Sequence, residues 1–252
     1  MLYWLGASLV GGPVDVESAI RRLEELCSPG IGDRVAAAHV NNAVGELEGL
    51  RGRFGAARRL LASAGDVYDE FGLRYYRVAT WMATGLVERA AGDGAAAESA
   101  FRAGYDALAE AGEKAALSTM AAYLAHVLCD VGREEEAERM AVVSKEAAAP
   151  EDLASQMLWR RARARVLARR GRPGRAERLA REAVKLGEQT DDLKERADAL
   201  SDLAEALLLT KRRGEAASAL EDALCLYERK GCAVSASRAR RRLQELTAAS
   251  VS

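Results

Sequence analysis

The stretch RGRFGAARRLL, residues 51–61, decides the fold because close copies of it recur along the chain. The copies are AGDGAAAESAF at 91–101, VGREEEAERMA at 131–141, RGRPGRAERLA at 170–180 and TKRRGEAASAL at 210–220. Intervals of 40, 40, 39 and 40 residues separate their second positions, which are Gly52, Gly92, Gly132, Gly171 and Lys211. Five residues after each of these anchors stands an alanine: Ala57, Ala97, Ala137, Ala176 and Ala216. Self-similarity at a fixed period predicts a repeat protein.

Each copy stands between two amphipathic runs with helical periodicity. The second repeat has such runs at 73–91 and 94–111, and the fourth at 154–170 and 174–188. Two helices joined by a turn of about three residues pack as an antiparallel hairpin. The recurrent alanine suits the point where the two helices cross, because a larger side chain would hold them apart. Prolines fall at predicted helix starts or connections, at Pro13, Pro29, Pro150 and Pro173.

The composition favours a helical protein of balanced charge. Apolar residues make up 49% of the chain and charged residues 30%, and the formal net charge is −1. This balance gives no bulk attraction to nucleic acid or to anionic membranes. No stretch reaches the roughly 18 apolar residues of a membrane span, and no basic residue precedes the apolar start, as one would in a secretion signal. We therefore expect a cytoplasmic protein.

The four cysteines lack the C-x-x-C spacing of zinc and redox sites. They lie in or beside apolar helical runs, at Cys27, Cys129, Cys225 and Cys232. This placement predicts buried free thiols in a reducing compartment, with a disulfide between Cys225 and Cys232 as the alternative.

The second repeat resembles the tetratricopeptide (TPR) pattern W-x-x-L-G-x-x-Y, followed by A-x-x-x-F. The matching residues are Trp81, Gly85, Ala97 and Phe101. Small residues at corresponding places in other repeats are Gly45, Ala64, Ala183 and Ala223. Thr84 and Glu88 depart from the pattern, and a period near 40 instead of about 34 implies longer helices. The resemblance implies an all-α fold, a right-handed α–α superhelix of TPR-like hairpins.

The repeats predict one solenoid over residues 1–252. We expect full helical hairpins at 34–72, 73–112, 113–150, 151–190 and 191–231, and a C-terminal capping helix and tail at 232–252. Residues 1–33 form a truncated first hairpin, in which an apolar helix at 2–5 pairs with residues 14–27. A terminal repeat should expose a polar outer face. The apolar start therefore predicts that further sequence precedes this chain in a longer protein.

Two segments carry a more specific resemblance, APEDLASQMLWRRARARVLARRGRPGRAERLAREAV at 149–184 and GEAASALEDALCLYERKGCAVSASRARRRLQEL at 214–246. They are similar to the C-terminal helical arrays of large bacterial signalling proteins, in which a class III adenylate/guanylate cyclase domain and an ATPase domain precede the repeats. Similar arrays occur in large ATPase transcription regulators. The resemblance implies a regulatory scaffold that senses or docks a protein partner. The alternative is the array of a transcription regulator whose DNA-binding part lies outside this chain.

The sequence contains no recognisable catalytic, cofactor or metal motif, and we expect no enzyme activity. It lacks the phosphate-binding G-x-x-x-x-G-K-[ST] loop. His39 and His126 have no partner at metal-ligand spacing, and both are interpreted as surface or groove residues. Acidic clusters at 66–70 and 134–136 are interpreted as solvated faces that pair with nearby arginines.

Ten arginines fall between residues 160 and 181: Arg160, Arg161, Arg163, Arg165, Arg169, Arg170, Arg172, Arg175, Arg178 and Arg181. One interpretation is a solvated face, partly neutralised by Glu177 and Glu182. The other is a docking patch for an anionic partner. Nucleic acid is the weaker form of the second interpretation, because no aromatic residues interleave with the arginines.

In a TPR register, the first helix of each hairpin lines the concave surface. The residues predicted to face inward are His39, Asn42, Glu46, Met82, Leu86, Arg89, Thr119, Tyr123, His126, Arg161, Arg165, Arg169, Asp198, Ser201, Asp202 and Glu205. This surface suits a protein or peptide partner with an acidic segment, or upstream domains of the same polypeptide, and a homodimer is possible. Arg161, Arg165 and Arg169 follow i, i+4, i+8 spacing and have no carboxylate at i±3 or i±4, which predicts a free basic stripe.

Overall fold

The structure is a computed structural model that describes residues 1–26 and 33–248, and all regular structure in these ranges is α-helical. The helices are α1 (Leu2–Gly11), α2 (Val16–Leu26), α3 (Arg34–Leu50), α4 (Phe54–Glu70), α5 (Arg74–Ala91), α6 (Gly94–Ala111), α7 (Lys114–Asp130), α8 (Glu134–Ala147), α9 (Leu153–Arg169), α10 (Pro173–Gly187), α11 (Leu193–Leu209), α12 (Arg213–Lys230) and α13 (Ala233–Ala248). They form a superhelix of TPR-like hairpins, which confirms the predicted fold class.

The five repeated anchors form the turns inside the hairpins α3–α4, α5–α6, α7–α8, α9–α10 and α11–α12. Each anchor has positive φ, which glycine adopts without steric cost. The turn then closes with a hydrogen bond back to the last helical turn, as from the Arg53 amide to the Glu48 carbonyl at 2.9 Å. Lys211 takes the same left-handed conformation, with φ of 61°, although it has a side chain.

The small residues of the repeat lie where helices cross. The five recurrent alanines, Ala57, Ala97, Ala137, Ala176 and Ala216, are all fully buried. A Cβ added at Gly45 would come within 2.9 Å of Leu61, and one at Gly85 within 2.6 Å of Phe101. Both distances are shorter than real Cβ contacts, so the close approach requires glycine. The predicted hairpin crossing is confirmed.

The helices form two layers around the superhelix axis. The first helices of the hairpins, α3, α5, α7, α9 and α11, pack on one another and form the inner layer. Their partners α4, α6, α8, α10 and α12 form the outer layer and contact the next inner helix along the chain. This arrangement turns one side of each first helix towards the axis.

The two ends of the superhelix meet, which the sequence did not predict. Lys230, at the end of α12, is fully buried, and its Nζ donates to the carbonyl oxygens of Leu9, Gly12 and Val14 at 2.8, 2.7 and 2.8 Å. Arg238 of α13 donates to the carbonyl oxygen of Ala90, at the end of α5, at 2.7 Å. The expected capping helix therefore also bridges to the N-terminal half, and the inner layer encloses a central space.

Two local expectations are wrong. Helix α1 packs mainly on α3, because Gly6 lets it approach Ala43 closely, and its contact with the expected partner α2 is smaller. Cys225 is exposed, since it lies on the outward side of α12, whereas Cys129 and Cys232 are buried free thiols. Cys27 and Pro29 lie outside the described residues. Within the described ranges, none of the helices combines the length and the apolar character that crossing a membrane requires.

Candidate functional site

The space enclosed by the inner layer consists of two adjoining cavities of about 330 and 180 Å³. Glu46 and Leu86 from the N-terminal half and Lys194 from α11 line both cavities, so the two form one chamber. Thirteen of the sixteen residues predicted to face inward line this chamber: His39, Asn42, Glu46, Met82, Leu86, Arg89, Tyr123, Arg161, Arg165, Asp198, Ser201, Asp202 and Glu205. Their role in binding a partner stays a prediction.

Three predicted residues do not line the chamber. Thr119 is half-buried on α7, and Arg169 is exposed at the end of α9. His126 is fully buried within the helix packing, and neither of its ring nitrogens has a hydrogen-bond partner among the described residues. Burial lowers the pKa of His126 well below its ordinary value, as do the surrounding cations, so the ring is neutral.

The chamber wall contains an inner ionic network made of Arg161, Lys194, Glu195, Asp198 and Asp202. Arg161 is only 3% exposed, and its guanidinium contacts Glu195, Asp202 at 2.8 Å and Asp198 at 3.3 Å. Lys194 lies 3.1 Å from Glu195 and 2.9 Å from Asp198. Burial alone would raise the pKa of Asp198, but Lys194 and Arg161 outweigh it and hold that pKa below its ordinary value.

Two tyrosines extend this network across the chamber. Tyr123 of α7 donates to Glu195 of α11 at 3.0 Å, and Tyr227 of α12 donates to Asp198 at 2.5 Å. Burial, together with the adjacent carboxylate, raises the pKa of both phenols well above the ordinary value. Both tyrosines are therefore neutral donors that fix the positions of the acidic side chains.

Arg165 is neutralised by a second ion-pair group one helical turn further along α9. Asp130, at the end of α7, accepts from Arg165 at 2.6 Å and from Arg89 of α5 at 2.7 Å. Because carboxylates of neighbouring repeats already hold Arg161 and Arg165, the predicted free basic stripe is wrong for these two residues. Arg169 has no ion pair with any described carboxylate.

The smaller cavity, in contrast, contains acceptors that lack donors. Asn42 is 8% exposed, and its Oδ1 accepts no hydrogen bond from the described residues. The pKa of Glu46 is raised to about 7, chiefly by burial; Lys194 lowers this pKa, whereas Asp192 and Glu195 contribute to the increase. Burial also raises the pKa of Asp192 to about 6. This end of the chamber therefore has more acceptors than the surrounding side chains satisfy.

Outside the chamber, five arginines form an outer arginine cluster around the α9–α10 turn: Arg169, Arg170, Arg172, Arg175 and Arg178. All five are exposed, and none pairs with a carboxylate in the part of the chain that the structure describes. The other five arginines of the run are engaged by carboxylates, as with Arg160 and Glu182 at 3.1 Å or Arg181 and Glu177 at 2.9 Å. Sequence reasoning did not separate these two groups.

Among the described residues, no group of three His, Cys, Asp or Glu side chains is arranged to hold a metal ion. The acidic clusters on α4 and α8 behave as predicted, since Asp69 pairs with Arg77 at 3.0 Å and Glu136 with Arg102 at 3.2 Å.

Comparison with known proteins shows the fold alone. No family model matches the chain, and no curated protein matches it. The chain is similar to a Rap conjugation gene regulator of the plasmid pLS20 in complex with the Phr* peptide, with TM-score 0.62 and 16% identity, over 92% of this chain and 71% of that one. It is also similar to a Rap protein complexed with Competence and Sporulation Factor, with TM-score 0.60 and 15% identity, over 92% of this chain and 70% of that one.

A third similar structure is a variant of the TPR-like repeats of a putative kinesin light chain from Podosopora anserina. It has TM-score 0.50 and 19% identity, over 74% of this chain and 92% of that one. The chain has a TPR-type helical-repeat fold.

Proposed function

We propose that the chain is a protein-interaction module of a larger regulatory protein, and that it docks an acidic segment of its partner on the outer arginine cluster. The observation that carries this proposal is the contrast within one run of ten arginines. Five of them are neutralised by carboxylates, whereas Arg169, Arg170, Arg172, Arg175 and Arg178 are exposed and have no described carboxylate partner.

Two residues of the outer arginine cluster lie where the backbone itself disfavours positive charge. Arg172 and Arg175 stand at the start of α10, where the helix dipole is positive and destabilises cationic side chains. A carboxylate-rich partner would neutralise this unfavourable charge. Arginine suits the role because its planar guanidinium can bind a carboxylate through two parallel hydrogen bonds.

The comparisons and the resemblance give the proposal its regulatory context. Two proteins of similar fold are Rap proteins, one of them in complex with a peptide. We assign the chain to a cytoplasmic bacterial signalling protein of the cyclase–ATPase type, in which it senses or docks a partner and has no catalytic role. Accordingly, the purified chain should neither hydrolyse ATP nor form cyclic nucleotides.

A second candidate is the helical array of an ATPase-type transcription regulator. One observation favours it: a structure similar to this chain is that of a gene regulator. The complete reading frame separates the two candidates, because a cyclase domain in it supports signalling, whereas a helix-turn-helix supports transcription.

Binding of a fluorescent acidic peptide, measured by anisotropy at low and high salt, tests the docking surface. The triple substitution Arg172→Glu, Arg175→Glu and Arg178→Glu should abolish salt-sensitive binding, because it reverses the charge of the outer arginine cluster. The matched control is Arg21→Glu, Arg22→Glu and Arg59→Glu, at exposed arginines of α2 and α4, which should bind like the parent. Equal binding of the acidic peptide by both triple variants would contradict the proposal. A preference of the parent for a DNA duplex over the peptide would favour the second candidate.

A further inference from the structure

We propose that the smaller cavity is a binding site for the primary ammonium group of a small organic ligand, with Asn42, Glu46 and Asp192 as its hydrogen-bond acceptors. This site lies inside the superhelix, on α3 and just before α11, and is separate from the outer arginine cluster. The proposal does not depend on the docking function and can fail without it.

The cavity presents acceptors without donors. Asn42 is more than nine-tenths buried and lines the cavity, yet its Oδ1 accepts no hydrogen bond from the described residues. Glu46 comes one turn later on α3 and has no ion pair or hydrogen bond in the described structure. Asp192 uses its Oδ1 to accept from the Glu195 amide at 2.9 Å, and no described donor reaches its Oδ2.

The nearby cations are already engaged elsewhere. Lys194 binds Glu195 and Asp198, and all three N–H groups of Lys230 donate to carbonyl oxygens of the α1–α2 connection. Neither lysine makes an ion pair with Glu46. Burying an uncompensated carboxylate is unfavourable unless a donor reaches it. An ammonium group, with three N–H donors and a positive charge, supplies what the three acceptors lack.

The shape and the walls of the cavity suit an organic molecule. Apolar side chains such as Val10, Met82 and Leu86 line it beside the acceptors, which favours an apolar body attached to the ammonium group. The 180 Å³ cavity continues past Glu46 into the 330 Å³ cavity, and ligand sites of a few hundred cubic ångströms hold small metabolites. Exposed Glu205 and Arg238 lie along the larger cavity and mark an entrance from solvent.

An organic ammonium fits this site better than a metal ion does. Among the described residues, no three His, Cys, Asp or Glu side chains are close enough to hold a metal. The same chemistry could be supplied by a free amino acid, by the N-terminus of a short peptide or by a polyamine. These three sources differ in the body to which the ammonium group is attached, so one titration series can separate them.

The protonation of the acceptors sets the pH at which binding should be strongest. With a pKa of about 6, Asp192 ionises first as the pH rises, and Glu46, with a pKa of about 7, is largely ionised only above neutral pH. The other titratable groups facing Glu46 or lining the cavity are Tyr3, His39, Tyr123, Lys194, Glu195 and Lys230. Ammonium affinity should therefore fall as the pH is lowered through 7 and 6.

The experiment is isothermal titration calorimetry of the full chain at about pH 8, where Glu46 is ionised. The probes are leucine, glutamate, arginine, the dipeptide Leu-Leu and putrescine, each at millimolar concentration, with N-acetyl-leucine as the matched probe that lacks an ammonium group. At least one amine should bind while N-acetyl-leucine does not. Glu46→Gln should weaken that binding by about 10-fold or more, since it removes a charged hydrogen bond.

Two further variants complete the test. Asn42→Leu removes the unpartnered acceptor and should also weaken binding, whereas Glu48→Gln, at a buried position of α3 outside both cavities, should bind like the parent. Three results would overturn the proposal: no heat from any amine, equal binding of N-acetyl-leucine, or unchanged affinity in Glu46→Gln. Failure of the outer arginine cluster to bind acidic peptide would leave it unaffected.

Discussion

Arg165 and Arg169 stand one helical turn apart on α9, and the structure gives them opposite environments. Arg165 is nearly buried and paired with Asp130 at 2.6 Å, whereas Arg169 is exposed and has no carboxylate partner among the described residues. The same difference separates Arg161 from Arg172, Arg175 and Arg178. Arg161, Arg165 and Arg169 are the same residue type at regular helical spacing on α9. Their environments differ because the first two face the interior of the closed superhelix and the third faces solvent.

The partners of the buried arginines come from neighbouring repeats. Arg165 meets a carboxylate 35 positions earlier, and Arg161 meets Glu195 and Asp202, which lie 34 and 41 positions later. These separations are close to one repeat, so an inward arginine faces a carboxylate of a neighbouring inner helix, either the preceding or the following one. A search for neutralising charges at i±3 and i±4 on the same helix therefore misses them.

The largest expected effect comes from removing the central arginine of the inner ionic network. Arg161→Met should lower the free energy of unfolding by about 3–5 kcal/mol, because the buried Glu195 and Asp202 and the partly buried Asp198 lose their shared cation. Arg175→Met, in the outer arginine cluster, should change it by no more than about 0.5 kcal/mol. Urea titrations followed by circular dichroism compare the two variants. Similar midpoints would show that the two groups of arginines do not differ as described.

The second prediction applies the contrast between inward and outward positions to one helix, α8. Ala137 is fully buried at a hairpin crossing, whereas Glu135 is exposed two residues earlier. Ala137→Trp should cost about 1–3 kcal/mol or more through overpacking, and Ala176→Trp should behave alike in the next repeat. Glu135→Trp should cost little. Equal destabilisation at Ala137 and Glu135 in a denaturant titration would show that the repeat register is wrong.

The third prediction concerns Glu46, which has no ion-pair or hydrogen-bond partner among the described residues. In this it differs from the paired carboxylates of the inner ionic network. The pKa of Glu46 is raised from its ordinary value to about 7, so its neutral form is favoured in the folded state. The stability that it contributes is present below about pH 4.3, its unfolded pKa, and is lost as the pH rises through 7. The free energy of unfolding of Glu46→Gln, relative to that of the parent, should therefore rise by about 2 kcal/mol when the pH is raised from about 5 to about 8. Unfolding free energies of the two proteins at both pH values check this, and a constant difference would contradict it.

The sequence predicts the fold and most of the inward-facing residues because both depend on local periodicity. Turn glycines such as Gly92 and crossing alanines such as Ala97 fix where each hairpin turns and which side of its first helix faces inward. The register fails at His126 because α7 packs against α6, α8 and α9, and this packing encloses the His126 side chain completely.

The closure of the superhelix could not be read from the sequence. It depends on Lys230, whose acceptors lie between 216 and 221 positions away, and on Arg238, which reaches α5 from 148 positions away. A lysine near a helix end is ordinarily interpreted as a favourable charge for the helix dipole. Only the curvature summed over five hairpins brings it to the α1–α2 connection, and no local pattern encodes that sum.

The most direct test of the account compares two triple charge reversals in the same arginine run. The free basic stripe that the sequence predicts would mean that Arg161→Glu, Arg165→Glu and Arg169→Glu abolish partner binding and leave helix content intact, whereas reversal of Arg172, Arg175 and Arg178 matters much less. The structure predicts instead a large loss of stability, since Arg161 neutralises the buried Glu195 and Asp202, and the nearly buried Arg165 pairs with Asp130. We expect this variant to unfold at much lower urea concentration than the parent, while Arg172→Glu, Arg175→Glu and Arg178→Glu unfolds like the parent and loses only acidic-peptide binding. A stable first variant that no longer binds, beside a second variant that binds normally, would contradict the account.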